Sequence, residues 1–325
     1  MATALATLMS LPFVPLARQE TAVEPMDRLR AALGPDCPVL LIKRDDLLAF
    51  ALGGNKVRKM QALSALALGE RADTLITCGG IQSNHARVTA AAGAVLGLRV
   101  VLVVNGEPPS RPSGNALLDR IFGADVRYVA SRDERAPAMD RLAEELREAG
   151  HRPFVIPLGA STPAGALGFA RGVSEIAAAG IKPDVIVHAT SSGGTQAGLI
   201  AGCALFGLRA RILGISADDP ASALEETVRT LLGQIASHLG AAPASIGADR
   251  AIEVDDGFVG SGYGVPTEAS TEALELVARA EGIVLDPVYT AKAMAGLISR
   301  IRAGEFAREQ RVLFWHTGGV PGLFA

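Results

Sequence analysis

The chain holds only three cysteines, Cys37, Cys78 and Cys203, an odd number with no CxxC spacing. That excludes a disulfide framework and a cysteine-built metal site, and it suits a reducing, cytoplasmic compartment. Aromatic residues are 4% of 325, no basic run occurs, and the net charge is −3. Nucleic-acid binding calls for a positive face interleaved with aromatics, so no nucleic-acid partner is expected. No apolar run is long enough for a membrane span: the longest stretch, 88–104, contains Arg99 and reads as a helix followed by a buried strand. The opening MATALATLMSLPFVPLA is small and apolar but lacks the positive charge that precedes a secretory signal core. Glycine is plentiful, yet no three glycines fall at i, i+2 and i+5, and no lysine follows a glycine. The dinucleotide fingerprint and the P-loop are therefore both missing. Lysine is scarce as well: there are five (Lys43, Lys56, Lys59, Lys182, Lys292) among 31 basic residues.

What is present points to an α/β protein. A chain of this length exceeds what one core usually serves, so two packed lobes are expected. Short β-rich runs at 39–43, 73–78, 99–104, 125–130, 184–190, 210–216 and 311–317 alternate with helical patterns. The helical segments are 57–71, 84–97, 114–123, 132–149, 163–179, 195–207, 221–239, 267–281 and 290–303. Several of the strand runs are nearly all apolar, as in parallel strands covered on both faces. The segment 241–266 is rich in Gly, Pro and Asp and reads as a long loop.

Glycine- and hydroxyl-rich junctions mark where chemistry belongs: GGNKVRK at 53–59, CGGIQSNHAR at 78–87, TSSGGTQAG at 190–198 and HTGGVPG at 316–322. In open parallel sheets ligands bind beyond the carboxyl ends of strands, where helix N-termini suit anions such as phosphate. Lys56 sits at an expected helix start, where the positive helix end disfavours an ammonium and favours the neutral amine that attacks aldehydes. Two readings stand at this point: a solvated basic first turn made of Lys56, Arg58 and Lys59, or an amine poised for carbonyl chemistry beside an anion.

The runs KRDDLLAFALGGNKVRK (43–59) and DTLITCGGIQSNHARVTAAAGAVLGL (73–98) resemble the aminocyclopropane-carboxylate deaminase / D-cysteine desulfhydrase family. Those are fold type II pyridoxal-phosphate enzymes related to the tryptophan synthase β-subunit. The likeness continues through SGGTQAGL (192–199), GYGVPT (262–267), LDPVYTAKAMAGL (285–297) and HTGG (316–319), and so spans about residues 40–325. It implies a two-lobed fold with open, mostly parallel sheets, a small lobe of residues 55–160 inserted into a large cofactor lobe of 1–54 and 161–325. It also implies pyridoxal 5'-phosphate as cofactor, a small amino acid as substrate and a homodimer.

Carried over by position, the resemblance makes Lys56 the lysine that bonds the cofactor and then the base for the Cα proton. It implies that Asn84 bonds the cofactor's 3′ oxygen, that Ser192, Gly193, Gly194 and Thr195 hold the phosphate, and that Lys59 lies near it. Ser83 would meet the substrate carboxylate, Tyr263 and Tyr289 would face the substrate, and His85 is a further substrate-side candidate. Ring-opening deaminases of the family carry Glu where this chain has Thr290 and Leu where it has Thr317. A hydroxyl at the pyridine nitrogen makes a weaker electron sink than a carboxylate does, which favours loss of a β-substituent over ring opening. The resemblance thus implies D-cysteine desulfhydration, with L-cysteate sulfo-lyase, the cyclopropane deaminase and a non-catalytic small-molecule binder as alternatives. Trp315, Phe258 and Ser261 depart from the family pattern and could reshape the substrate pocket, with a plain buried strand-end tryptophan as the equal alternative for Trp315. His188 is expected to be a satisfied core residue, and Asp255 and Asp256 to cap a loop.

Overall fold

A computed structural model describes residues 2–325. Ten strands form two sheets. The larger is built from β1 (Val23–Pro25), β2 (Val39–Arg44), β7 (Val185–Thr190), β8 (Arg211–Ser216), β9 (Glu253–Asp255) and β10 (Arg311–His316), in the order β1-β2-β10-β7-β8-β9. Only the short edge strand β1 runs antiparallel, against β2. The smaller sheet is all parallel, in the order β5-β4-β3-β6, from β3 (Thr74–Gly80), β4 (Arg99–Asn105), β5 (Asp125–Val129) and β6 (Pro153–Ile156).

Both sheets are covered on both faces, which explains the unbroken apolar runs of β4, β7 and β10. One face of the larger sheet packs on α1 (Ala2–Ser10), α7 (Pro163–Ala178), α8 (Gly194–Leu205) and α9 (Ala221–Leu239). The other packs on α2 (Asp27–Leu33), α10 (Glu268–Glu281) and α11 (Thr290–Arg302). The smaller sheet lies between α3 (Asn55–Gly69) and α4 (Asn84–Leu96) on one side and α6 (Arg135–Glu148) on the other, with α5 (Gly114–Ile121) against α4.

The seven strands and nine helices expected from periodicity are all present, most within two residues of their expected ends. Five elements were not expected. The strands β1, β6 and β9 are three or four residues long and carry Pro or charge, too short for a period-2 signal. The helices α1 and α2 owe their place to packing: α1 docks Ala4 and Leu8 into the core formed by α7, α8 and α9. The loose stretch 241–266 contains a turn of 3-10 helix at Pro243–Ile246 as well as β9.

The helix that carries Lys56 is fixed with particular firmness. Gly168 on α7 lets the backbone of α3 approach so closely that a Cβ there would stand 2.4 Å from the Arg58 carbonyl oxygen. Arg58 then spreads its guanidinium between Asp45 (2.7 Å) and Glu175 (2.6 Å), and Lys43 reaches Glu175 at 2.5 Å. Asp45 also accepts from Thr21 Oγ1 and from the indole N–H of Trp315, both at 2.8 Å. Trp315 is fully buried against Phe169 and does not line the cavity described below; neither do Phe258 and Ser261. Of the two readings of Trp315 the buried strand-end one holds, its indole satisfying a buried carboxylate, and Phe258 and Ser261 stand outside the cavity lining.

Candidate active site

The carboxyl ends of β3, β4, β7, β8 and β10 open onto one cavity of about 280 Å³ between the two sheets. It gathers residues far apart in sequence: Lys56, Ser83, Asn84, His85, Ser192, Gly193, Thr195, Tyr263, Tyr289 and Thr317 all line it. Three of the expected site residues do not. Lys59 is buried behind the wall, donating to Gly159 O (3.0 Å) and Ser161 Oγ (3.3 Å). Gly194 is packed against the same two residues, Ser161 and Lys59. Thr290 is turned away into the start of α11, where its hydroxyl donates to Asp286 Oδ1 at 2.7 Å.

Lys56 lies in the first turn of α3 and makes no ion pair or hydrogen bond among the described residues. Burial lowers its pKa from 10.5 to about 8, so a neutral amine is accessible near neutral pH. The cause is desolvation rather than the helix end inferred from position. Ser83 caps α4, accepting from Ala86 N at 3.2 Å, which places its hydroxyl and the first N–H groups of α4 at the cavity wall.

At the head of α8, Gly193 takes a left-handed conformation (φ 72°), and the turn it forms leaves the first N–H groups of the helix without intrahelical acceptors. Ser192 Oγ accepts from Ser161 Oγ (2.8 Å), Thr195 Oγ1 accepts from Asn55 Nδ2 (2.9 Å), and Lys59 lies behind the loop. A small anion is what such a cup of N–H groups and hydroxyls suits. Thr190 Oγ1, in the same wall, is buried with no partner.

On the opposite side the hydroxyls of Tyr263 and Tyr289 bond to each other. Burial raises both phenols, Tyr289 well above 10, so both stay protonated and can donate. His85 Nε2 lies 2.8 Å from Thr77 Oγ1. That hydroxyl spends its one proton on Ile156 O at 2.8 Å, so it accepts from His85 and leaves Nδ1 as a bare acceptor. Burial holds the imidazole pKa well below 6.5, keeping it neutral.

Sequence reasoning missed several lining residues. Asp218 and Asp219 follow β8, Asn105 ends β4, Arg132 comes from the β5–α6 connection and Arg135 opens α6. The strand-end positions of Asn105 and Asp218 were a usable signal. The two arginines had none, because only the meeting of loops brings Arg132 onto Asp218 and over the Tyr263 ring (5.5 Å). His188 is buried as expected but half satisfied: Nδ1 bonds Ala189 O (2.9 Å) and Nε2 has no partner. Asp255 caps its loop as expected, accepting from Gly257 N at 2.9 Å and pairing with Arg300, whereas Asp256 accepts at 2.8 Å from Ala221 N, the first residue of α9.

A buried, unpaired lysine facing an anion cup, between two open parallel sheets, defines a fold type II pyridoxal-phosphate enzyme. The chain belongs to the pyridoxal-phosphate dependent enzyme family, whose profile matches residues 14–318. It is 39% identical to a D-cysteine desulfhydrase of Klebsiella pneumoniae (strain 342) over 99% of this chain and 98% of the relative. It is equally, 39%, identical to a 1-aminocyclopropane-1-carboxylate deaminase of Burkholderia vietnamiensis, over 98% of this chain and 97% of that one. A crystal structure described as an ACC deaminase homologue superposes with a TM-score of 0.91 at 37% identity, covering 100% of this chain and 97% of its own. The residues present fit the cofactor: a free amine for its aldehyde, and N–H groups and hydroxyls for its phosphate. The protein is a pyridoxal-phosphate-dependent lyase.

Proposed function

We propose that the protein catalyses β-elimination from D-cysteine, in which cysteine and water give pyruvate, sulfide and ammonia. The observation that carries this choice over ring opening is Thr317 in the cavity wall, where the deaminase pattern has leucine; Thr290 replaces that pattern's glutamate but turns its own hydroxyl to Asp286. The similarity along the whole chain, 39% to a D-cysteine desulfhydrase and 39% to a cyclopropane deaminase, supports a small amino acid as substrate and leaves the choice between the two reactions to the site residues.

When bound, pyridoxal phosphate supplies an aldehyde for the substrate amine and a ring that withdraws electrons from Cα. The chain's residues do the rest. Ser83 and the free N–H groups of α4 hold the substrate carboxylate. Lys56, its pKa lowered by burial, takes the Cα proton. Tyr289, with Tyr263 hydrogen-bonded behind it, hands a proton to the departing sulfur. Ser192, Gly193, Gly194 and Thr195 fasten the phosphate, and Lys59, one layer back, holds Ser161 in place. Residues 55–160 act as the small lobe and 1–54 with 161–325 as the large one, closing over the substrate and excluding water.

The working form is a homodimer in the cytoplasm. Support for the dimer is an apolar groove of about 700 Å³ that includes Leu47, Leu52, Leu117 and Phe324, with Leu47, Leu52 and Phe324 more than half exposed. Support for a reducing compartment is the three unpaired, buried cysteines.

Loaded protein given D-cysteine, L-cysteine, L-cysteate and 1-aminocyclopropane-1-carboxylate in turn tests the proposal. Pyruvate and sulfide in equal amounts from D-cysteine are expected. Pyruvate with sulfite from L-cysteate would reassign the leaving group, and 2-oxobutanoate from the cyclopropane would overturn the choice. A protein that binds these amino acids and turns over none would be a binding protein on this scaffold.

A further inference from the structure

Asn84, Arg87 and Asn115 form a network that the proposed mechanism does not use. Asn84 Oδ1 accepts from Arg87 Nη1 (2.8 Å) and from Asn115 Nδ2 (3.0 Å). A guanidinium can only donate, so the atom facing it must be the amide oxygen, and the orientation of Asn84 is fixed by chemistry. With both acceptor sites of Oδ1 engaged, the end left for the cavity is the NH₂, a donor and nothing else. Asn115 is held in turn, donating from Nδ2 to Gln82 O (2.8 Å) and from its backbone N to Gln82 Oε1 (2.8 Å).

Arg87 is 1% exposed, and among the described residues its guanidinium bonds only amide and carbonyl oxygens and no carboxylate. Its second nitrogen, Nη2, donates to Gly53 O at 2.8 Å, and Nη1 also donates to Asn115 Oδ1 at 2.9 Å. One buried cation therefore grips both the backbone three residues before Lys56 and the side chain of Asn84. The titratable groups that act on it are Asp119 on α5, whose carboxyl burial pushes up to about 7, and Asp286 before α11; Lys56 and Lys59 on α3 act on neutral His85, two residues away on α4. Keeping an arginine buried without an ion-pair partner is costly, and it leaves positive potential directed at whatever Asn84 contacts.

Resting on Asn84 as the cofactor ligand proposed by resemblance, we infer that Arg87, assisted by Asn115, is a positioning residue. It locks Asn84 as a pure donor and so selects an anionic oxygen, the ionised phenol oxygen of pyridoxal phosphate, while fixing the Lys56 loop against it. Neither Arg87 nor Asn115 lines the cavity.

The test is a double-mutant cycle on the full chain, Asn84→Ala, Arg87→Lys and both together, with Asn115→Ala as a second probe should Arg87→Lys fold poorly by far-UV circular dichroism. Two readouts besides activity are taken: the pyridoxal phosphate dissociation constant, from quenching of the sole tryptophan, and the pH at which the visible band of the bound cofactor titrates. Arg87→Lys and Asn84→Ala should each weaken cofactor binding about tenfold to a hundredfold and raise the titration pH, the double variant matching Asn84→Ala alone. Asn115→Ala should shift both readouts in the same direction by less. If Asn84→Ala moves both readouts while Arg87→Lys moves neither, or adds fully to it, the positioning role is overturned. If Asn84→Ala itself moves neither, Asn84 is not a cofactor ligand, and the assignment beneath the inference falls with it.

Discussion

Trp315→Phe isolates a single proton donor. The indole ring lies at 5.2 Å from Phe169, and a phenyl ring preserves most of that contact. What is lost is the N–H on Asp45 Oδ2, one of four bonds to that carboxylate beside two from Arg58 and one from Thr21. A hydrogen bond to a charged, fully buried acceptor is worth about 1.5–3 kcal/mol. The smaller ring adds about 1 kcal/mol of lost burial. The expected loss at pH 7 is thus about 3 kcal/mol, a large part of the ~5–15 kcal/mol stability of an ordinary domain. Urea unfolding of the apoprotein, followed by circular dichroism because the variant has no tryptophan, measures it. The pH dependence carries a second check. Burial raises the Asp45 carboxyl, but Arg58 foremost, then Trp315 and Lys43, outweigh it and hold the group below 3.8. A depressed carboxylate stabilises the fold above its unfolded pKa and ceases to do so as pH falls through the folded one. The gap between wild type and variant should therefore narrow below about pH 4, leaving mainly the packing part. A loss under about 0.5 kcal/mol at pH 7, or a gap unchanged into acid, would refute the assignment of Trp315 to the carboxylate.

Other outcomes follow from the same geometry. Lys56→Met should stabilise the apoprotein near neutral pH by up to about 3 kcal/mol, because below pH 8 the native state must bury an ammonium. As pH rises from 8 towards 10.5 the unfolded chain holds the proton longer, so wild type gains stability and the advantage disappears; thermal melts across that range check it. Gly194→Ala places a Cβ 2.6 Å from Ser161 Oγ and 2.8 Å from Lys59 Nζ, so cofactor affinity should fall about tenfold by titration with the fold intact. Tyr289→Phe should lower kcat by about 10²–10⁴ with unchanged cofactor affinity, measured in steady-state and binding assays, and Tyr263→Phe should do so to a lesser degree.

Periodicity alone was enough for the alternation of strands and helices, because strands sandwiched between helices must be apolar on both faces and their helices must be striped. The glycine-rich junctions and the scarcity of lysine narrowed the chemistry to Lys56, and the ordered motifs shared with the family supplied its cofactor. Local sequence could not tell which side chains face the cavity. Lys59 and Thr290 sit three residues and one residue from the cavity-lining Lys56 and Tyr289, yet the turn of α3 and the carboxylate of Asp286 direct both away from it. Nor could it foresee that Asp45, Arg58, Glu175 and Trp315, separated by up to 270 residues, would satisfy one another, or that Arg87 would set the orientation of Asn84. A buried charge must find its partners wherever the chain brings them. The pattern of burial is written locally, whereas the pairing of buried polar groups is decided only when distant segments meet.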